Sequence, residues 1–234
     1  MRALVLALAL AACGQSAAPM PEAEIATTSG MDLSGHLIAQ GADFRLDSAP
    51  DIGVVLNYPQ QELTLSGPYA VPTATDSGAL LESQGISLTL TPGACTLDGV
   101  TYSMNASVSI PNATPAAGCA FVRWDHQLIE LLPQIDRCIE TAPEARWVTY
   151  AGRAGDEVTV RLRDETKRFE CKITNDQLVS SALPESAPAI AGDGEAIFVR
   201  GPASANPGGE CYEAPEVKSA SGEVLGWMMD PMGC

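Results

Sequence analysis

Histidine is almost absent from this chain: His36 and His126 are the only two. No Cys-x-x-Cys pair and no Cys/His spacing of a zinc site occurs, so zinc and thioredoxin-type chemistry are not expected. There is no G-x-S-x-G elbow, no Walker loop and no G-x-G-x-x-G. His126 and Glu130 stand four apart in a helical stretch, but two ligands are too few for a metal centre. No catalytic residue, no metal site and no cofactor is expected, and the chain does not read as an enzyme. Positive charge is also scarce. Lys and Arg number 13 against 29 Asp and Glu, a formal charge of −16. That excludes nucleic acid, whose binders need basic patches. It also argues against direct contact with anionic lipid heads. It would favour encounter with a basic partner by long-range steering, but net charge speaks to solubility before it speaks to partners. No apolar run reaches the roughly 20 residues that span a bilayer.

A shorter run is present. Met1-Arg2 precedes Ala3-Leu4-Val5-Leu6-Ala7-Leu8-Ala9-Leu10, a positive end followed by an apolar core, and small residues close it. These are the three parts of a secretory signal. The run ends in Leu10-Ala11-Ala12-Cys13. That tetrapeptide resembles a bacterial lipobox. The resemblance implies cleavage before Cys13 and acylation of its thiol and amine. Gly14, not Asp, follows it, which implies the outer membrane. One acyl chain holds marginally, while each buried methylene adds about 0.8 kcal/mol, so a triacylated end would stay anchored. The other reading is an ordinary secretory signal with an accidental Cys. Residues 14–30 are small, polar and broken by Pro19 and Pro21. They read as a flexible tether reaching on the order of 20–25 Å.

Seven cysteines are an odd number: Cys13, Cys95, Cys119, Cys138, Cys171, Cys211 and Cys234. Lipidation of Cys13 leaves an even set, and an oxidising periplasm would turn it into disulfides. The layout favours neighbours: Cys95–Cys119, Cys138–Cys171 and Cys211–Cys234.

The fold class expected is mainly β with an α+β part: a small antiparallel β-barrel or sandwich, then a helix-plus-β-meander domain. Residues 1–12 are the signal, 13–30 the lipidated Cys and tether, 31–122 an all-β domain and 123–234 an α+β domain. In residues 100–110, Val100, Tyr102, Met104, Ala106, Val108 and Ile110 alternate with polar residues, so one face of a strand is apolar. Gly67-Pro68, Asp76-Ser77-Gly78, Pro92-Gly93 and Asp98-Gly99 mark turns. Leu128, Leu131, Leu132, Ile135, Cys138 and Ile139 fall at helical spacing, with Asp125 as the expected N-cap and Pro133 expected to kink the helix or divide it. Strands are expected near 147–151, 157–163, 168–173, 196–200, 210–219 and 223–228. The Ala/Ser/Pro-rich stretch 178–194 reads as a linker or long loop.

Leu90-Thr91-Pro92-Gly93-Ala94-Cys95, Asp98-Gly99, Tyr102, Ala106, Val108 and Gly118-Cys119-Ala120 resemble a domain of uncharacterised bacterial envelope lipoproteins. In that family a Cys and an Asp-Gly turn lead to a Tyr-containing strand and a closing Gly-Cys-Ala. Here Val100-Thr101 stand where Met-Ser is usual. The resemblance implies a small β domain with one disulfide and no stated activity.

Arg161, Arg163, Lys167, Arg168 and Lys172 gather on two adjacent strands of an acidic chain. They read either as a contact for an anionic partner or as cross-strand partners of Asp156, Glu157, Glu165 and Glu170. The function expected is a periplasm-facing, outer-membrane-anchored lipoprotein with a non-enzymatic binding or structural role. Its partners would be the membrane, through Cys13, and a basic protein or a cell-wall component. The alternatives are an inhibitor of a basic host enzyme such as lysozyme, or an unrecognised cell-wall hydrolase.

Overall fold

The computed structural model describes residues 31–202, 207 and 214–229. Cys13, Cys211 and Cys234, with the signal, the tether and the third cysteine pair, lie outside these residues.

Nine strands form the first sheet: β1 (Leu37–Gln40), β2 (Arg45–Ala49), β3 (Gly53–Tyr58), β4 (Leu63–Gly67), β5 (Thr73–Thr75), β6 (Gly78–Ser83), β7 (Ile86–Leu97), β8 (Val100–Ser109) and β9 (Ala116–Val122). Their order is β4-β3-β2-β1-β9-β8-β7-β6-β5, and all neighbours are antiparallel. Two meanders are thus joined where β1 pairs with β9. Every second residue points inward, and the two flanks close over one core. Leu37, Leu46 and Leu56 come from one flank, and Leu81, Leu88, Leu90 and Val108 from the other. The flanks touch where the Ser83 hydroxyl donates to the Pro68 carbonyl at 2.7 Å. No ladder joins β4 to β5 or β6, so the sheet is a folded sandwich and not a closed barrel.

The β7–β8 hairpin is bent. A β-bulge lies between Pro92 and Cys95, where Gly93 takes φ of 138°. The hairpin turns at Asp98-Gly99, both at positive φ (50° and 78°), which only such residues adopt cheaply. Beyond the bend the tip crosses to the outer face of the sheet. There Leu97, Val100 and Tyr102 pack on Ile38 and Phe121. Cys95 is bonded to Cys119, so the disulfide links β7 to β9 over the intervening β8 and clamps the tip down. Gln40 Nε2 also donates to the Tyr102 hydroxyl at 2.6 Å.

The second sheet holds β10 (Trp147–Ala154), β11 (Glu157–Arg163), β12 (Arg168–Thr174), β13 (Gln177–Leu183), β14 (Ile197–Arg200), β15 (Glu216–Lys218) and β16 (Val224–Met229). Its order is β13-β12-β11-β10-β14-β16-β15. The helix α1 (Leu128–Thr141) buries Leu128, Leu131, Ile135 and Cys138 against it. Cys138 is bonded to Cys171 of β12, pinning the helix to the sheet. The expected three-stranded meander is therefore the middle of a larger sheet.

Three local expectations need correction. Asp125 does not cap the helix: it lies in a 3-10 turn, Trp124–Gln127, and pairs with Arg123. Pro133 does not divide α1, which runs through it. The carbonyl deprived of its N–H partner belongs to Ile129, a residue about half exposed on the outer side of the helix. The supposed linker at 178–194 begins as a strand. Gln177–Leu183 is β13, paired over seven residues with β12. An edge strand draws its backbone bonds from one neighbour and needs little apolar patterning, so composition hid it. The local signal was Asn175-Asp176, both at positive φ, a two-residue hairpin turn.

Candidate functional site

The rest of that stretch, with the two residues that follow it (184–196 together), is wedged between the two sheets. Gly194 N donates to the Thr149 carbonyl at 2.9 Å, and Trp124 Nε1 donates to the Ala196 carbonyl at 3.1 Å. Gly192 packs closely on Phe121 of the first sheet. At the hub is Asp193. One of its oxygens accepts from the Thr149 hydroxyl at 2.6 Å. The other accepts from Arg161 at 2.9 Å and Arg168 at 3.0 Å. Arg161 is buried on the outer face of β11. It also donates twice to Glu170 Oε2, at 3.1 and 3.0 Å, and to the Pro188 carbonyl at 2.8 Å.

This fixes the fate of the five basic residues. Arg161 and Arg163 of β11 share one face with Arg168 and Lys172 of β12. Arg161 and Arg168 are drawn into the wedge. Lys172 pairs with Glu157 at 2.9 Å, which lowers the Glu157 pKa and raises that of Lys172. The Arg163 guanidinium lies over the Trp147 ring, 5.2 Å from its centroid. Lys167 sits in the turn whose backbone N–H groups bond Asp164. Three of the five are thus spent on in-chain ion pairs.

Two clefts flank the wedge. One, of about 440 Å³, holds a charged chain running across the seam. Arg45 binds Glu195 through two parallel bonds, at 3.0 and 2.8 Å. It binds Asp47 through two more, at 2.9 and 3.0 Å. His36 Nε2 lies 3.2 Å from the same Asp47 carboxylate. Burial opposes ionisation of Asp47, but the bonds from His36 and Arg45 outweigh it, so its pKa lies below the ordinary carboxylate value. The Glu195 bond, against the cost of burial, raises the Arg45 pKa. Every charge named here already has a partner. This cleft is a latch between the halves.

The other cleft measures about 560 Å³. Its floor is Tyr150, Ala151 and Gly152 of β10. One wall is the clamped hairpin, with Thr101, Ser103 and Met104. The opposite wall carries Asp32, Trp124, His126 and Gln127. His126 Nδ1 lies 2.6 Å from the Arg123 carbonyl, which can only accept, so Nδ1 carries the hydrogen. His126 Nε2 lies 3.1 Å from the Gln127 amide and 3.6 Å from Asp32. Glu130, which the spacing set beside His126, instead faces Arg153 at 3.7 Å. The Tyr150 hydroxyl rests against Gly152, where any Cβ would collide with it. Burial raises the Tyr150 pKa, so the phenol stays neutral and able to donate. Its hydroxyl, and those of Thr101 and Ser103, have no hydrogen-bond partner among the described residues.

Of the lining of this cleft, sequence reading singles out His126, Pro92 of the turn and Met104 of the alternating strand, and none of them as part of a binding site. Its walls come from Asp32, the β7–β8 hairpin, the 3-10 turn and β10, far apart in the chain. Trp227 is buried in β16. Among the described residues no three His, Cys, Asp or Glu side chains gather as a metal centre would require. Compared with known proteins, the chain matches no family model, no curated protein and no solved structure.

Proposed function

We propose that this chain is an outer-membrane-anchored, periplasm-facing lipoprotein with a non-enzymatic binding or structural role. The observation that carries the reading is Leu10-Ala11-Ala12-Cys13 at the end of an apolar run, followed by a polar tether. Two features support it. Cys95–Cys119 and Cys138–Cys171 suit an oxidising compartment. The tether would suspend a body whose two halves are latched together and flanked by open clefts, which suits capture of a partner near a membrane.

The test is intact mass of the protein recovered from bacterial membranes, before and after reduction. The expected species is triacylated and starts at Cys13, with a mass that rises on reduction as disulfides open. Cys13→Ser is expected to release the chain into the soluble periplasmic fraction. A wild-type chain found soluble and unacylated would refute the anchor.

A further inference from the structure

We propose that the larger cleft is a saccharide site, sized for one or two sugar rings; this deepens the binding role proposed above and rests on it. Volume is the first argument. About 560 Å³ lies within the range of small-ligand sites. Unused hydrogen-bonding capacity is the second. The smaller cleft pairs His36, Arg45, Asp47 and Glu195 with one another within the chain. The larger one presents the half-buried Tyr150 hydroxyl, and at its open rim the exposed hydroxyls of Thr101 and Ser103, with no partner among the described residues. A hydroxyl both donates and accepts. Its best complement is a ligand whose groups do the same, set on a C–H framework that can lie against the half-buried Met31, Val122 and Ile190.

Other ligand classes fit less well. A phosphate or other strong anion would find one arginine, Arg153, already facing Glu130, with Asp32 opposing it. A metal ion lacks its ligand set among the described residues. A wholly apolar ligand would strand the Tyr150 hydroxyl without water, at the cost of an unmade hydrogen bond. The site is also preformed. Its hairpin wall is held by the Cys95–Cys119 bond, so little ordering is left for the ligand to drive.

The experiment is titration calorimetry on the purified full chain with N,N′-diacetylchitobiose, maltose and cellobiose. At least one is expected to bind with millimolar Kd or tighter. Tyr150→Phe keeps the ring and removes one neutral hydrogen bond, so affinity should fall roughly five- to tenfold. Gly152→Ala pushes a methyl onto the Tyr150 hydroxyl position and should weaken binding as well. Thermal melts check that both variants fold, and Tyr150→Phe suffices if Gly152→Ala does not. Absence of binding by all three sugars, or binding indifferent to Tyr150→Phe, overturns the proposal. Chromatography of the bound sugar separates this from the broader reading. Cleavage would refute the non-enzymatic role, and an unacylated chain would refute the anchor; sugar binding in either case leaves the saccharide site standing.

Discussion

Replacing Asp193 by alanine removes the hub of the wedge, and the loss can be worked from its three partners. Arg161 has a side chain only 4% exposed, and Asp193 is one of its two carboxylates. Hydrogen bonds involving a charged group contribute about 1.5–3 kcal/mol. Arg161 keeps Glu170 and the Pro188 carbonyl, so its loss belongs at the lower end of that range. Thr149 is buried, and stranding its hydroxyl costs about 1–3 kcal/mol. Arg168 is 43% exposed, and water replaces its partner for less than about 1 kcal/mol. The sum is about 3–5 kcal/mol, the cost typical of breaking a buried ion pair. Urea unfolding of the oxidised protein is the assay. Asp193→Asn keeps an acceptor oxygen and should lose less. Arg168→Ala should lose under about 1 kcal/mol. A drop below about 1 kcal/mol for Asp193→Ala would falsify the claim that the wedge holds the buried guanidinium in place. An Asn variant as damaging as the Ala variant would show that charge, and not bonding, is what matters.

Other outcomes follow from the same contacts. Replacing both Cys138 and Cys171 by alanine opens a loop of separation 33 and should cost ~3–4 kcal/mol by loop entropy, read as a lower urea midpoint. Arg45→Met removes the cross-seam bonds to Glu195, so limited proteolysis should cut residues 184–196 faster while each sheet stays folded by circular dichroism. Asp47 has a folded pKa below its unfolded one, so its contribution is complete above the unfolded value of roughly 4. It is lost as pH falls through the folded value. Asp47→Asn should therefore flatten the acid limb of stability against pH, and an unchanged slope would remove Asp47 from the latch.

Much of the layout was open to sequence reading because it follows from local rules. The alternation over 100–110 placed β8, and the helical spacing of Leu128, Leu131, Ile135 and Cys138 placed α1 and its buried face. Neighbouring cysteines marked the two bonds that the structure describes. The signal and lipobox reading is likewise wholly local, since it concerns residues read as linear chain. What the sequence could not state is where long-range partners meet. The bend at Gly93 carries the hairpin tip across to Ile38, and Asp193 finds Arg161, 32 residues away, because a Ser/Ala/Pro-rich stretch enters the seam instead of leaving it. The basic residues read as one surface from their strand spacing. Only the docking of that stretch buried Arg161 and occupied Arg168. The cleft at Tyr150 is more distant still from sequence logic. Its polar groups come one or two at a time from β8, the 3-10 turn and β10, and no spacing rule links them. Periodicity reports which way a side chain points from its own element. It is silent on what another element brings to face it, and that was decided by the packing of two sheets around residues 184–196.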